Sequence, residues 1–546
     1  MMKTPVRIAA IAVWGSLLCV TPLMAQHRSV PPPAAYAIEG VTVVGPGLQQ
    51  EAGVTVIVRG GLVEAMGARL EIPADAERLE GDSLYLYPGL VDADGVSEFE
   101  FPDAPEDGPP SWAPTRIAQR VAPYRRVADH VTATGGAQGE QRRRGIVAAA
   151  VHAGDGIAPG RSAVLLNRVD AETSRELIAR ADAGLSMSLQ TAQGVYPSTL
   201  LGVMATIRQA FLDAERQAAL ESAFADGRAG MKMPDWDPDY EVLRDVAAGE
   251  TPVFFHAADS EDIRRVLGLA DEIGFRPIIV GGDEAWMVAD ELADRGVPVL
   301  IDTDFREPDE WDPETEEEEL EPAAFREKRE LEALYSNAAA LEAAGVQFAL
   351  TSGEGDADPI EGARKAVEYG LSRNAAVAAM TTAPAEILGV RSLIQVGEGR
   401  PATFILTTGP LLEEGSEIAY TFVEGSYEAG PGSGAGGGEA PTVNVSGSWE
   451  VEVTAQGMTV PMEMELAQEG SEFSGTAAAD MFGDAEVRGG RVSGNEVTFR
   501  LVVAAGGQSM ELSFEADVEG DRMNGSGSSP MGDFQMTARR APGGAR

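Results

Sequence analysis

The chain has 546 residues, with 87 Asp and Glu against 42 Lys and Arg, which gives a formal net charge of -45 at pH 7. Its length predicts two or three domains rather than one. The acidity excludes nucleic acid as a partner, because a phosphate backbone would repel so negative a protein. The one cysteine, Cys19, lies near the N-terminus, so the rest of the chain can form neither a disulfide nor a thiol catalyst.

Residues 1–25 have the pattern of a secretory signal peptide. Lys3 and Arg7 precede an apolar run at residues 8–20, and Ala25 offers a small residue for cleavage. The apolar run is too short to cross a bilayer comfortably as a helix. We therefore expect a protein without a membrane span that is exported to the periplasm or the extracellular space.

Short β-prone runs occur in two distant parts of the chain. The first part is residues 36–83, with runs such as 54–58, and the second is residues 395–425, with runs such as 402–406. Such runs separated by glycine turns are typical of antiparallel strands. The sequence therefore predicts a small β unit in the first part, with partner strands in the second.

Between these parts, residues 84–394 alternate between apolar runs and helical patterns. Ser198 is placed to cap one helix, and residues 260–272 form another. Strands that are apolar almost throughout favour a parallel sheet that is buried on both faces. The predicted strands, besides the one that ends near residue 91, are residues 145–151, 162–166, 252–255, 277–280, 298–301 and 347–350.

A glycine-rich stretch at residues 426–441 predicts a flexible linker before the C-terminal part of the chain. Residues 442–546 then alternate apolar and polar side chains, as at Trp449, Val451 and Val453, which predicts an all-β barrel or sandwich. Gly-Ser-Trp at 447–449 resembles the opening of lipocalins. Two interpretations of its interior stay open, a pocket for an apolar ligand and a filled core.

The most informative stretch is residues 84–96, in which an apolar strand runs into Pro-Gly-Leu-Val-Asp at 88–92. This run resembles the P-G-[LIF]-[IV]-D-x-H-x-H strand of the amidohydrolase superfamily, including its imidazolonepropionase-like members. Residues 382–389 resemble the T-x-P-A-x-x-L-G helix end of that family. Residues 399–403 are similar to its G-K-x-A-D signature, so the resemblance covers residues 36 to about 425.

The resemblance implies an α/β fold, in which a TIM-like (β/α)8 barrel spans residues 84–394. It also implies that residues 36–83 and 395–425 share one small β-sandwich. The C-terminal all-β, lipocalin-like domain would follow the linker. In such a barrel, chemistry takes place at the C-terminal ends of the strands.

By resemblance, the protein hydrolyses a C–N bond, other than a peptide bond, in a small amide or cyclic imide. Family members use one or two divalent ions to activate water and polarise the carbonyl group. The rival interpretation is a non-catalytic binding protein or partner subunit, which would pair with itself or with an active relative. Fold alone does not decide between the two.

The metal ligands of the family are largely replaced in this chain. Asp94 and Val96 occupy the positions of the paired histidines on the first strand. His256 matches the histidine of the fifth strand, whereas Gly281 stands for the histidine of the sixth and Gly353 for the aspartate of the eighth. One of these five positions therefore keeps its ligand, and His256 and Asp94 become the catalytic candidates.

Other polar residues at strand ends could rebuild a site for zinc or iron, since a His/His/carboxylate set can hold either metal. The residues that could meet at the barrel mouth are Asp94, His152, His256, Asp283 and Glu354. The alternative is that His152 and His256 are hydrogen-bonded rim residues and that no cofactor is bound. We favour this alternative and assign no metal ligand. Lys232 is either the lysine ligand of the family or a solvated surface residue.

Overall fold

The computed structural model describes residues 35–540 apart from short gaps. The gaps are residues 103–110, 133–135, 169–170, 172, 192–193, 229, 307–321, 354–356, 434–442, 456–457, 470–471, 480–482, 494, 506–507, 521 and 529–533. The predicted signal peptide and Glu354 therefore lie outside the described residues. Within the described residues, no helix is both long enough and apolar enough to cross a membrane.

Among the described residues, helices lie in the middle, apart from short 3-10 turns, and strands lie on either side of them. The strands are β1 (Ala35–Val44), β2 (Gln50–Arg59), β3 (Leu62–Gly67), β4 (Ala76–Glu80), β5 (Tyr85–Pro88), β6 (Leu90–Gly95), β7 (Ile146–Val151), β8 (Gly160–Leu166), β9 (Ile178–Ser188), β10 (Val253–Ala257), β11 (Pro277–Gly281), β12 (Val299–Asp302), β13 (Phe348–Thr351), β14 (Phe404–Thr407), β15 (Ile418–Val423), β16 (Ser426–Ala429), β17 (Gly447–Ala455), β18 (Met458–Glu469), β19 (Glu472–Ala479), β20 (Gly483–Ser493), β21 (Glu496–Ala505), β22 (Gln508–Glu519), β23 (Arg522–Ser528) and β24 (Phe534–Arg540). The helices are α1 (Gly136–Arg143), α2 (Ser174–Leu177), α3 (Leu200–Ala225), α4 (Pro238–Ala247), α5 (Ser260–Ile273), α6 (Ala289–Arg295), α7 (Pro322–Tyr335), α8 (Asn337–Ala344), α9 (Pro359–Glu368), α10 (Arg373–Met380) and α11 (Thr382–Ile387).

The first sheet joins strands from the two distant β-prone parts of the chain. Its order is β16-β15-β14-β5-β1-β2-β3, with β4 beside β1, and β14 pairs directly with β5. The edge strand β3 contacts the segment that precedes β14, because Val63 N–H in β3 donates to Arg400 O at 2.9 Å. The expected sandwich is therefore one sheet that bends over its own core, in which Ile38, Phe404 and Phe422 are fully buried.

The predicted start of the linker, at residue 426, is wrong. Residues Ser426–Ala429 form β16, which pairs with β15 in an antiparallel ladder. The glycine-rich composition begins only after this strand, at Gly430. Tyr427 explains why the sheet continues through residues 426–429, because its ring stacks on Phe422 at 5.1 Å and adds to the aromatic core of the sheet.

The second sheet is the nearly closed, TIM-like barrel that the sequence predicts. Strands β6 to β13 follow one another in chain order, and each pairs with the next. Helices cover the outside of the sheet, where the ring of Phe255 on β10 packs near Phe275 with 6.3 Å between the ring centroids. Alternation along β10 turns its neighbours Phe254 and His256 to the other face, toward the barrel interior.

The prediction of a wholly parallel barrel is wrong at β8, which runs antiparallel to both β7 and β9. Only residues 152–159 connect β7 to β8, and a parallel crossover needs about a dozen residues or more. A chain that turns back so soon can only return antiparallel. As a consequence, β8 begins at the end of the barrel where its parallel neighbours finish.

Strand β9 was not among the predicted strands. Its first half contains Arg180 and Asp182 and is not buried, whereas its second half is apolar and buried. The charged half hides the strand pattern in the sequence. The helix expected to follow Ser198 is α3, and Thr199 caps it instead, because its hydroxyl accepts a hydrogen bond from Gly202 N–H at 3.2 Å.

A buried carboxylate joins the first and last strands of the barrel. Asp92 on β6 is 1% exposed. It accepts hydrogen bonds from the Ser352 hydroxyl and from Ser352 N–H at 3.3 Å, immediately after β13. Burial raises the pKa of Asp92, and the nearby Asp302 carboxylate raises it further. The hydrogen bonds from Ser352 and Asp94 lower it, but burial is the largest effect. These bonds hold the barrel together where its strand ladder ends.

The third sheet is a closed antiparallel barrel, β17 to β24, in which β24 pairs back with β17. Trp449 is fully buried, and its indole N–H donates to Val445 O at 2.8 Å. Inside the barrel the rings of Phe499 and Phe514 stack at 4.8 Å, and Phe534 lies 5.0 Å from Phe514. Stacked aromatic side chains therefore occupy the interior of this barrel.

We predict that Asp92→Ala destabilises the barrel by about 3 kcal/mol, because the Ser352 hydroxyl, Ser352 N–H and Asp94 N–H lose their acceptor. The free energy of unfolding from urea titration measures this. Asp155→Ala is the control, since Asp155 is exposed and its removal should cost less than about 0.5 kcal/mol. Equal stability of the two variants would contradict the role assigned to Asp92.

We also predict that residues 442–546 fold when expressed alone. Their strands pair only among themselves, and their apolar side chains form a core of their own. Circular dichroism should show β structure with a cooperative thermal transition. A helical or unfolded spectrum of this fragment would contradict the prediction.

Candidate ligand site at the mouth of the barrel

The barrel mouth is the end of the sheet at which its parallel strands finish. Four of the five candidate residues lie there, on separate strands or just after them. Asp94 is in β6, His152 follows β7, His256 is in β10, and Asp283 follows β11. The fifth, Glu354, lies outside the described residues. Because strand ends of a barrel meet at one face, residues far apart in sequence come together.

His152 is 7% exposed, and both of its ring nitrogens make hydrogen bonds. Nδ1 lies 2.8 Å from the Ser162 hydroxyl, and Nε2 lies 3.1 Å from Ala93 O. A carbonyl oxygen only accepts, so Nε2 carries the hydrogen and Nδ1 accepts from Ser162. Burial lowers the pKa of His152 to about 3, and His256 adds to this effect. The imidazole is therefore neutral at physiological pH.

His256 is the neighbour of His152 in the mouth, with the two rings edge to face at 5.6 Å. Water reaches the His256 ring, yet burial among surrounding protein atoms lowers its pKa, and only the Asp155 carboxylate opposes this. A group that is both accessible and closely surrounded lies in a recess. Within the described part of the chain, His256 makes no hydrogen bond, so its donor and its acceptor face the recess.

Asp94 lies on the other side of His152. One of its carboxylate oxygens is 3.6 Å from His152 Nε2, and its side chain is 20% exposed. Its N–H donates to Asp92 Oδ1 at 3.1 Å, which ties it to the junction between β6 and β13. The structure therefore brings Asp94, His152 and His256 into one group at the mouth.

The opposite side of the mouth is acidic. The pKa of Asp283 is raised by burial first, and then by the carboxylates of Asp302 and Glu284. Asp302 ends β12 and accepts a hydrogen bond from Asp304 N–H at 2.8 Å. Glu284 accepts hydrogen bonds from Ser260 at the start of α5. Asp283, Glu284 and Asp302 therefore form an acidic group at the ends of the neighbouring strands β11 and β12.

Sequence reasoning missed Asp302, Ser162 and Ser186. Asp302 directly follows the predicted strand at residues 298–301, so its position at a strand end could have identified it. The two serines carry no such signal, because Ser162 reaches the mouth only through the unexpected direction of β8. Ser186 lies in the strand that was not predicted.

Two of the replaced family positions have a backbone that favours glycine. Gly353 has a φ of +60°, and a Cβ built there would lie 2.3 Å from Asp302 Oδ2. Gly281 has a φ of +93°, and a Cβ built there would meet only ordinary contacts. A side chain would therefore clash at Gly353 and strain the backbone at Gly281.

The residues present do not fit the divalent metal that the family implies. A zinc site needs several ligands that converge on one point, each with a free lone pair. His152 has none, because Nδ1 accepts from Ser162 and Nε2 is protonated. Among the described residues, no group of three His, Cys, Asp or Glu side chains is placed to hold a metal ion. Lys232 is exposed in the loop between α3 and α4, as its surface interpretation predicts.

Ser162, His152 and Asp94 lie in the order of a catalytic triad, but they cannot act as one. Ser162 is fully buried, so no substrate can reach its hydroxyl. The His152 ring that Ser162 contacts also donates from its other nitrogen, Nε2, to the carbonyl oxygen of Ala93. A nucleophile must be accessible to the bond that it attacks. This arrangement is therefore structural.

We predict that the fold loses stability through His152 as the pH falls from about 6.5 toward 3. The unfolded chain takes up a proton near pH 6.5, whereas the native imidazole stays neutral down to about 3. In this window the difference costs about 1.4 kcal/mol per pH unit. Urea unfolding at several pH values should therefore show a weaker dependence in His152→Gln than in the natural protein. An unchanged slope would contradict the assignment of a neutral His152.

The chain is similar to solved structures of amidohydrolases. An amidohydrolase from Thermotoga maritima MSB8 is 23% identical with a TM-score of 0.57, and the match covers 72% of this chain and 99% of that one. Phenylurea hydrolase B is 15% identical with a TM-score of 0.44 (72% and 96% covered). A zinc-bound adenosine deaminase from Xanthomonas campestris is 16% identical with a TM-score of 0.40 (72% and 93% covered).

No protein-family model matches the sequence, and no curated protein matches it at a significant level. At this level of sequence identity, the similarity to the solved structure shows a shared fold only. Together with the barrel, the bent sheet that joins both of its ends and the site at the strand ends, it leads to one conclusion. The chain has an amidohydrolase-type fold.

Proposed function

We propose that the protein binds a small amide or cyclic imide at the barrel mouth and does not hydrolyse it with the help of a metal. It would be a binding protein built on an amidohydrolase fold. The observation that carries this proposal is His256, an accessible imidazole in a recess, with no hydrogen-bond partner among the described residues. Ligands of barrel proteins bind at this face.

The chemistry of His256 suits an amide. A neutral imidazole has one N–H donor and one nitrogen acceptor. An amide or imide offers the complementary pair, a carbonyl oxygen and an N–H group. Because burial lowers the pKa of His256, the ring keeps both functions at neutral pH.

The carboxylates around the recess narrow the class of ligand. The Asp155 carboxylate acts on His256, the Asp94 carboxylate lies beside His152, and the chain as a whole carries a charge of -45. This field repels anions and favours neutral or cationic molecules that are rich in N–H groups. Hydrolysis of an amide yields a carboxylate, which the site would not retain.

A second function is hydrolysis with His256 as general base, and the free nitrogen of its neutral ring favours it. His256 would take a proton from water as the oxygen adds to the carbonyl carbon. The C–N bond would then break, and the proton would pass to the leaving nitrogen. Binding remains the first proposal, because no group that would stabilise the negative oxygen of the intermediate is identified among the described residues.

Location and partners form part of the proposal. The N-terminal pattern supports export to the periplasm or the extracellular space, where a small-molecule ligand would be met. The chain would act alone, as an oligomer with itself, or beside an active relative.

We expect the purified protein to contain well under one equivalent of zinc, iron or manganese by elemental analysis. Calorimetric titration with a panel of small amides and cyclic imides should identify a ligand. His256→Ala should weaken its binding about tenfold, the value of one to two hydrogen bonds. His256→Gln, which keeps a donor and an acceptor, should lose less. The control is His130→Ala, because the His130 ring packs on Phe101 at 5.2 Å and not on His256 or His152, and this variant should bind normally.

The same panel tests the alternatives. Product formation that His256→Ala abolishes, in protein without metal, would establish the second function. Stoichiometric metal that is lost in His256→Ala would overturn both proposals, because the mouth would then hold the ion that its described residues do not fit.

A further inference from the structure

We propose that a one-way chain of hydrogen bonds across four barrel strands makes His152 a fixed N–H donor that positions Asp94 at the mouth. His152 would thus be a positioning residue, and hydrogen bonds would organise the mouth without a metal. The proposal rests on the proposed ligand site, because Asp94 borders that site.

The chain of hydrogen bonds has four steps. Ala153 N–H lies 3.0 Å from the Ser186 hydroxyl oxygen, which lies 2.8 Å from that of Ser162. The Ser162 hydroxyl lies 2.8 Å from His152 Nδ1, and His152 Nε2 lies 3.1 Å from Ala93 O. The chain thus begins at a backbone donor and ends at a backbone acceptor.

The two ends fix the direction of every hydrogen between them. Ala93 O can only accept, so His152 must donate through Nε2 and accept through Nδ1. Ser162 therefore donates to His152 and accepts from Ser186. Ser186 in turn accepts from Ala153 N–H, which can only donate. Reversing any one step would leave two donors or two acceptors face to face.

Burial makes this arrangement hard to replace. The side chains of Ser162 and Ser186 are almost completely inaccessible to water. A buried hydroxyl or imidazole that loses its partner finds no water to substitute for it, so a complete network is favoured over a partial one. The hydrogen positions in the chain are therefore set by the protein alone.

The course of the strands makes the chain of hydrogen bonds possible. Ala93 is on β6, His152 and Ala153 follow β7, Ser162 is on β8, and Ser186 is on β9. Since β8 runs antiparallel, its first residues lie at the mouth, where its parallel neighbours end. A parallel strand in this place would present its last residues to the mouth, and Ser162 would lie far from His152.

Asp94 lies beside this fixed donor. Its carboxylate oxygen is 3.6 Å from Nε2, which is too long for a hydrogen bond, so the dipole of the N–H group acts on it, and its own N–H is bound to Asp92. Among the described residues, the titratable groups beside His152 are Asp94 on β6 and His256 on β10. Burial and His256 lower the pKa of His152 to about 3, against the hydrogen bond to Ala93. The donor therefore stays the same across physiological pH.

Nuclear magnetic resonance of the full chain with 15N-labelled histidine tests the proposal. The chain has only four histidines, so the His152→Gln variant identifies the His152 signals. We expect a neutral ring with its hydrogen on Nε2 from pH 5 to pH 8, with only about one ring in a thousand charged at pH 6. A hydrogen on Nδ1, or a ring that titrates near pH 6.5, would overturn the proposal.

Variants test the individual steps. Ser162→Ala should leave the hydrogen on Nε2, because Ala93 O still accepts it, but should shift the Nδ1 signal, which loses its donor. Ser186→Ala should shift the Nδ1 signal less. Ser188→Ala is the matched control on β9, because its hydroxyl donates to Gly156 O instead. Asp94→Asn should shift the His152 Nε2 proton signal. An unchanged spectrum in Ser162→Ala and Asp94→Asn would contradict the proposal. If one of these variants does not fold, Ser186→Ala provides the test in its place.

The role of Asp94 at the site has its own readout. Once a ligand is identified, Asp94→Asn and Ser162→Ala should both weaken its binding, whereas Ser188→Ala should not. Weakening by Asp94→Asn alone would overturn the positioning role. The spectra need no ligand, so a failure to find one would count against the proposed function and leave the chain of hydrogen bonds to be judged by the spectra.

Discussion

The Asp92 carboxylate is the constraint on which the mouth of the barrel depends. The strand ladder of the described barrel runs from β6 to β13, and Asp92 bridges its two ends through Ser352. Hydrogen bonds are stronger in the buried interior than in water, and a buried donor that loses its acceptor is costly, which suits one residue to hold a junction. Asp92 also accepts Asp94 N–H. Closure of the barrel and the backbone position of Asp94 therefore share one buried group.

Polar contacts at this mouth replace the ligand set that the family resemblance implies. Two glycines with positive φ occupy family ligand positions, and one is crowded by Asp302. His152 has both nitrogens engaged, whereas His256 has neither bound among the described residues. Two neighbouring histidines thus have different roles because their surroundings differ. The first stabilises the scaffold, and the second is available to a ligand.

Part of this site was predictable, and part was not. His256 and Asp94 were candidates because the family resemblance places both at ligand positions, and such positions lie at strand ends, which converge in a barrel. The hydrogen bonds of His152 depend on Ser162 and Ser186, which no motif marks. Their approach requires β8 to run antiparallel, which follows from the short loop before it. That consequence could have been drawn from the spacing of the two strands, but the apolar pattern of β8 looks the same in either direction.

The sequence by itself determined the order of strands and helices, the strand-end positions of the candidate residues and the all-β C-terminal part. These features depend on local periodicity and on short motifs, which are properties of neighbouring residues. Only the tertiary structure decided the direction of β8, the place of β9, the bend and strand order of the sheet that residues 35–88 and 404–429 share, and the protonation of His152. Each of these depends on contacts between residues far apart in the chain, and burial at such contacts, not residue type, sets which atoms are bound and which are free.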